Sequence, residues 1–292
     1  MNSYTCTLCP RNCNAERYET EGRGFCGMGM LPKIARIAPH FWEEPCISGT
    51  MGSGTIFFSG CVLSCVFCQN YTISRQHHGR IMTEEELIEG VKSLEAQGVH
   101  NINLVSPTPY IETIIRCFTK YKPSIPVVYN TGGYEKAETI RRLEGIVDIY
   151  LPDMKYIRPD LSKKYSAAEN YLEYALPAIK EMVRQTGKPV IDDEGIMQKG
   201  TVVRHLILPQ NTKNSIAVLE LLKEEFGDGI LVSLMGQYIP MGRAEEHPEI
   251  NRRITPREYS KVLDVYEGLG LDGFVQELSS AKKAYVPDFW DK

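Results

Sequence analysis

The chain has 292 residues, 42% hydrophobic and 24% charged, with a formal net charge of −4 at pH 7; that suffices for one large core with a small appendage, or for two ordinary ones. Lys and Arg are scattered among Asp and Glu, which excludes the basic stripe that nucleic acid requires as a partner. No apolar run approaches the roughly 18 residues of a membrane helix, and "MNSYTCTLCPRNC" has neither the apolar stretch nor the cleavage site of a secretory signal, so a cytoplasmic protein without a membrane partner is expected.

In chain order, residues 1 to about 45 come first, with four cysteines, the glycine-rich "EGRGFCGMGM" and no clear period. They read as a small Cys-rich, metal-pinned subdomain ahead of a main domain over residues 46–292. Nine cysteines in a cytoplasmic chain are not a disulfide framework, because the cytosolic thiol pool keeps such pairs reduced, and all but Cys117 lie between residues 6 and 68. Cys6, Cys9, Cys13 and Cys26 have the count and spacing of a closed four-thiolate site. Zinc there would be a structural clip, whereas a second iron–sulfur cluster would be an electron relay or a second anchor. Cys46 has no assignment, and Cys117 among apolar neighbours reads as a small core residue.

From residue 54 onward, strands are expected over 55–59, 101–106, 126–131, 147–153, 201–208, 229–235 and 273–278. Helices are expected between them over 83–98, 110–121, 135–145, 170–187, 211–227 and 255–270. Thr83 with Glu86, and Thr255 with Pro256 and Glu258, fit capping boxes. Repeated strand–helix units imply an α/β fold with a parallel sheet. Pattern alone leaves a partial barrel and an open doubly wound sheet both standing, and either places the site at the carboxyl ends of the strands.

The first strand runs into "GCVLSCVFCQNYT". Three cysteines, Cys61, Cys65 and Cys68, are one short of the thiolates that close an ordinary cluster. Zinc held by these three and His77 or His78 is the alternative; otherwise the two histidines are polar loop residues at the barrel mouth. Asp153 and Lys155 lie two apart near a strand's carboxyl end and share a face with Ile149 and Leu151, as a binding pair or as a surface ion pair. Asn103, Asn130 and Arg204 interrupt apolar strands, where a barrel interior must satisfy or use them.

The Cys-x3-Cys-x2-Cys spacing, with Phe67 before its last cysteine, resembles the signature of the radical S-adenosylmethionine (SAM) enzymes. Together with "CTLCPRNC", "HFWEEPCISGTMGSGTIFFSGCVLSCVFCQNY", "VYNTGGYE", "VDIYLPDMKY" and "INRRITPREY", the chain is similar to the branch related to pyruvate formate-lyase activating enzymes. The resemblance implies a partial (β/α)6 TIM-like barrel and a [4Fe-4S] cluster on Cys61, Cys65 and Cys68 whose open iron is chelated by SAM. It further implies an electron donor such as flavodoxin or ferredoxin, and reductive cleavage to a 5′-deoxyadenosyl radical that abstracts hydrogen. The nearest described substrate is a glycine of a partner enzyme, with a small molecule or another peptide as the alternative; a non-catalytic iron–sulfur or zinc protein is the reading from a different class. The resemblance brings Asp153 and Lys155 to the methionine end of SAM; Phe67, Asn130 and Arg204 are expected as further cofactor contacts. Two departures stand out. "SPTPY" replaces the family's Gly-Gly-Glu, leaving Ser106 and Thr108 to supply its contacts, and Gln237 and Tyr238 stand where relatives place a histidine.

Overall fold

A computed structural model describes residues 3–276, with Leu278 and Phe289. Seven strands run parallel: β1 (Ser53–Phe58), β2 (Ile102–Val105), β3 (Val127–Thr131), β4 (Ile149–Pro152), β5 (Met197–Leu206), β6 (Leu231–Met235) and β7 (Gly273–Gln276). The six expected helices lie between them: α1 (Glu84–Ala96), α2 (Ile111–Lys120), α3 (Ala137–Arg141), α4 (Tyr171–Thr186), α5 (Thr212–Phe226) and α6 (Pro256–Gly268). The parallel strands pair in chain order with no reversal. A doubly wound sheet reverses its order at a switch point, so the topology is the singly wound one of a partial barrel.

Both capping boxes form, with reciprocal bonds between Thr83 and Glu86 and between Thr255 and Glu258. Among the elements that differ from expectation, three bear on the barrel. The strand Lys33–His40 pairs antiparallel with β1, in a segment where no period was legible; a register shift between Ile34 and Arg36 breaks its alternation. β5 begins upstream at Met197 because Val190–Ile191 folds back on it as an antiparallel pair. The helix expected over 135–145 is shortened to α3. The last expected strand is present over Gly273–Gln276, and its continuation at residue 277 lies outside the described residues.

Alternation along the strands sorts the two faces. Ile56, Phe58, Ile102, Leu104 and Tyr129 face outward and pack with Leu94, Ile114, Ile140 and Ile179 of the helices. Val128, Ile149, Leu151 and Val202 face inward around Cys46 and Ile47, which the one-turn helix Pro45–Ser48 inserts as a plug. Cys46, which the sequence left without an assignment, is thus a buried apolar filler of the barrel floor. Above this layer the inward positions turn polar, and that change places the site. Among the described residues, no helix is long and apolar enough to cross a membrane.

Candidate active site

β1 is buried along its whole length and ends in Ser59 and Gly60. Gly60 has a φ of 82°; a Cβ there would strike the Met28 side chain and approach the Cys26 carbonyl to 3.2 Å. Only glycine makes this turn without strain, and the turn projects the three-cysteine loop over the carboxyl end of the sheet. The Cys61 sulfur accepts from the Leu63 amide at 3.4 Å, Cys65 accepts from the Ser166 hydroxyl at 3.0 Å, and Cys68 meets the Ser74 hydroxyl at 3.4 Å.

All three sulfurs line one cavity of about 240 Å³. Burial pushes the Cys61 thiol up to about 12 and the Cys68 thiol up to about 11, so the protein alone keeps them protonated. Buried thiolates need a metal's charge to face them, and this donor set therefore fits an iron–sulfur centre. Among the described residues, no three Cys, His, Asp or Glu side chains converge as tightly as the shell of a single ion. His77 and His78 are absent from the cavity wall; the His77 ring lies against Gly27, and the His78 carbonyl accepts from the Ser59 hydroxyl.

Opposite the loop, charges of alternating sign descend into the barrel. Lys155 Nζ donates to Asp153 Oδ2 at 2.5 Å, and Arg204 Nε donates to Asp153 Oδ1 at 3.0 Å. Arg204 also reaches Asn130 Oδ1 at 2.6 Å and Glu43 Oε2 at 3.3 Å. Asn103 and Asn130 donate to Glu43 Oε1 at 3.3 and 3.2 Å. Burial works to raise the Asp153 carboxyl, but the Lys155 ammonium and the Arg204 guanidinium outweigh it and hold it below its ordinary value. Glu43 is raised, because burial outweighs Arg204. With their side chains 16% and 14% exposed, Lys155 and Asp153 are a buried pair rather than a surface one.

Phe67, Ser106, Asn130, Asp153, Lys155, Arg204, Gln237 and Tyr238 all reach the cavity wall together with the cysteines. Phe67 packs edge-on against Tyr238, whose hydroxyl donates to the Ile250 carbonyl at 2.9 Å. Ser106 adopts a left-handed φ of 57°. Thr108 is not brought to the cavity. Its hydroxyl turns aside to donate to Glu135 Oε1 at 2.5 Å, alongside Thr131 at 2.5 Å and Tyr129 at 3.4 Å. Glu43 and Glu135 were missed from sequence. Glu43 carries one weak signal, a tandem acidic pair between aromatics and a proline; Glu135 sits in "GGYE", whose Gly133 cannot accept a Cβ without striking the Asp153 carbonyl.

Cys117 lies in the core of α2 and donates to the Glu84 carbonyl at 3.8 Å. Cys6, Cys9, Cys13 and Cys26 all line another cavity of about 20 Å³, with Arg11, Arg17, Phe25 and Val62 also in its wall, and no three of them are drawn in as close as a single-ion shell. None of the nine cysteines is in a disulfide.

A singly wound parallel sheet thus carries three thiols on the loop after its first strand, facing a buried lysine–aspartate–arginine ladder across one cavity. The family model for the radical SAM superfamily matches residues 55–238, and the chain belongs to that superfamily. Membership implies a [4Fe-4S] cluster and SAM. The uncharacterized protein MJ0674 of Methanocaldococcus jannaschii is 30% identical over 276 residues, covering 91% of this chain and 75% of the relative. MJ0808 of the same organism is 23% identical, covering 93% and 79%. Among solved structures, methylornithine synthase superposes with a TM-score of 0.52 at 15% identity, over 76% of this chain and 63% of that one. Streptococcus suis SuiB bound to SAM gives 0.50 at 13% identity, over 76% and 50%. The chain thus spans less than two thirds of these two structures, and the likeness is one of fold.

Proposed function

We propose that this protein cleaves SAM reductively and directs the product radical to a glycine of a partner enzyme, in the manner of the pyruvate formate-lyase activating enzymes. The observation that carries the reading is the meeting of Cys61, Cys65 and Cys68 with Lys155, Asp153 and Arg204 on one cavity. A cluster held by Cys61, Cys65 and Cys68, given one electron by a flavodoxin- or ferredoxin-type donor, would supply the reductive cleavage of SAM. The chain's own residues bind, orient and exclude water. The three thiols hold the cluster, while Lys155 and Asp153 face it with opposite charges that match the carboxylate and ammonium of an amino acid. Phe67, Val105 and Leu206 supply apolar wall, and Ser106, Asn130 and Gln237 supply hydrogen-bonding groups for the rest of the cofactor. The reading includes a second metal centre at the amino-terminal quartet.

The test is anaerobic incubation with dithionite and SAM. Release of 5′-deoxyadenosine is expected, and it is abolished by changing Cys61, Cys65 or Cys68 to alanine; a variant with near-normal release would overturn the assignment. Deuterium passing from a glycine-labelled partner into 5′-deoxyadenosine marks the substrate. Transfer from a labelled small molecule instead would replace the peptide reading.

A further inference from the structure

The quartet and the trio are built back to back. Arg11, between Cys9 and Cys13, donates through Nε to the Val62 carbonyl at 2.7 Å, through Nη2 to the Ser166 carbonyl at 3.3 Å, and through Nη1 to the Ala167 carbonyl. Val62 follows Cys61, and the Ser166 hydroxyl donates to Cys65. On the other flank, Phe25, which precedes Cys26, stacks between Arg11 at 3.8 Å and Arg75 at 4.9 Å. Arg75 donates to the Phe25 carbonyl at 3.3 Å and follows Ser74, which touches Cys68. The Cys26 carbonyl itself abuts Gly60, the residue before Cys61. Every thiol of the trio is therefore tied, within one or two bonded contacts, to residues beside the quartet.

Charge points to an occupant of the quartet. Arg17 is 2% exposed and donates to Met28, Pro109 and Gly29 carbonyls, to the Tyr4 hydroxyl, and towards Cys6 Sγ at 4.0 Å. Among the described residues, no carboxylate bonds to Arg17 or to Arg11. A buried guanidinium without a counter-charge is costly. Glu112 acts on Arg17 only through space, whereas four thiolates around zinc or a cubane carry a net charge of about −2 that would face Arg17 and the half-buried Arg11 across the same cavity.

We propose that Cys6, Cys9, Cys13 and Cys26 hold a thiolate-bound metal centre of net negative charge, and that this centre fixes the shape of the catalytic loop through Arg11 and the Phe25–Arg75 stack. The inference rests on the trio assignment above and adds a positioning role for Arg11, which touches no reacting atom. Arg11 makes three carbonyl bonds that a lysine, with one ammonium in place of a planar fork, cannot reproduce together.

The experiment uses the full chain, reconstituted anaerobically with iron and sulfide and expressed with zinc present. Wild type should hold metal beyond the trio's cubane: about one zinc or about four further irons, the two results separating a clip from a cluster. A Cys9→Ser, Cys13→Ser variant should lose that extra metal. Arg11→Gln should keep both metals and its melting temperature, yet lose about tenfold or more in 5′-deoxyadenosine release and show a weakened response of the reduced trio's paramagnetic resonance signal to SAM, with Arg11→Lys between. Wild-type metal content in the quartet variant, or wild-type cleavage and resonance response in Arg11→Gln, would overturn the proposal. If the wild type cleaves no SAM, the proposed function fails by itself, while metal content still decides the quartet centre.

Discussion

Asp153 is where a single residue matters most, because two buried cations depend on it. Its two oxygens take separate donors, Lys155 on one and Arg204 on the other, so Asp153→Asn leaves two buried cations short of their counter-charge. Asp153→Asn and Lys155→Met should each weaken SAM affinity by about tenfold or more, while the visible absorption of the cluster remains. Titration calorimetry under argon measures this, and unchanged affinity in both variants would return the pair to a structural role. Glu135 offers a different signature. Burial raises its carboxyl to about 7 despite the hydroxyls of Thr108, Thr131 and Tyr129, so the folded chain keeps a proton that the unfolded chain gives up at the ordinary value of 4.5. The stabilisation is complete below that lower value, falls as pH rises from there towards about 7, and then levels off. Glu135→Gln should remove this fall from the profile of unfolding free energy against pH. A wild-type profile flat across the window, or a Gln variant with the same slope, would contradict the raised carboxyl.

At the scale of elements, helix starts were legible because their chemistry is local. Thr255 accepts from the Glu258 amide at 3.2 Å while Glu258 accepts from the Thr255 amide at 2.8 Å, and four adjacent residues suffice to specify this. Thr255→Ala should cost about 1 kcal/mol in urea unfolding and leave SAM cleavage intact, since α6 contributes no residue to the cavity wall. Glu258 adds an acid dependence: bonds from the Arg252 guanidinium, with help from the cap, hold its carboxyl down at about 2. Its contribution is present above the ordinary carboxylate value and is lost as pH falls from there towards about 2. The strand Lys33–His40 shows the opposite case. Its register shift hides the period, and its place is set by β1, on the far side of the Pro45–Ser48 plug, which no local pattern reveals.

On the scale of the whole molecule, the two cysteine sets should remain chemically distinct even though they are packed together. Three thiolates leave a coordination position open and four do not, so adding SAM should shift the resonance signal of the trio alone. Comparing a Cys6, Cys9 and Cys13 to alanine variant with one lacking Cys61, Cys65 and Cys68 checks this: the first should retain a SAM-responsive signal, weaker if the coupling through Arg11 holds, and the second should have none. A folded quartet variant with no SAM-responsive signal would mean one shared centre. By itself, the sequence determined what is local or periodic: the alternation of strands and helices, the caps, the three-cysteine loop at the end of β1, and the shared face of Asp153 and Lys155. The tertiary structure decided what depends on strands distant in the chain lying side by side. It chose the singly wound order over the doubly wound one and withdrew Thr108 from the cavity into the Glu135 cluster. It also carried Glu43 from outside the parallel sheet to within hydrogen-bonding reach of Arg204, 161 residues away. Spacing along a chain fixes which side chains share a face, but only the closing of the sheet fixes which faces meet, and a buried charge finds its partner across that meeting.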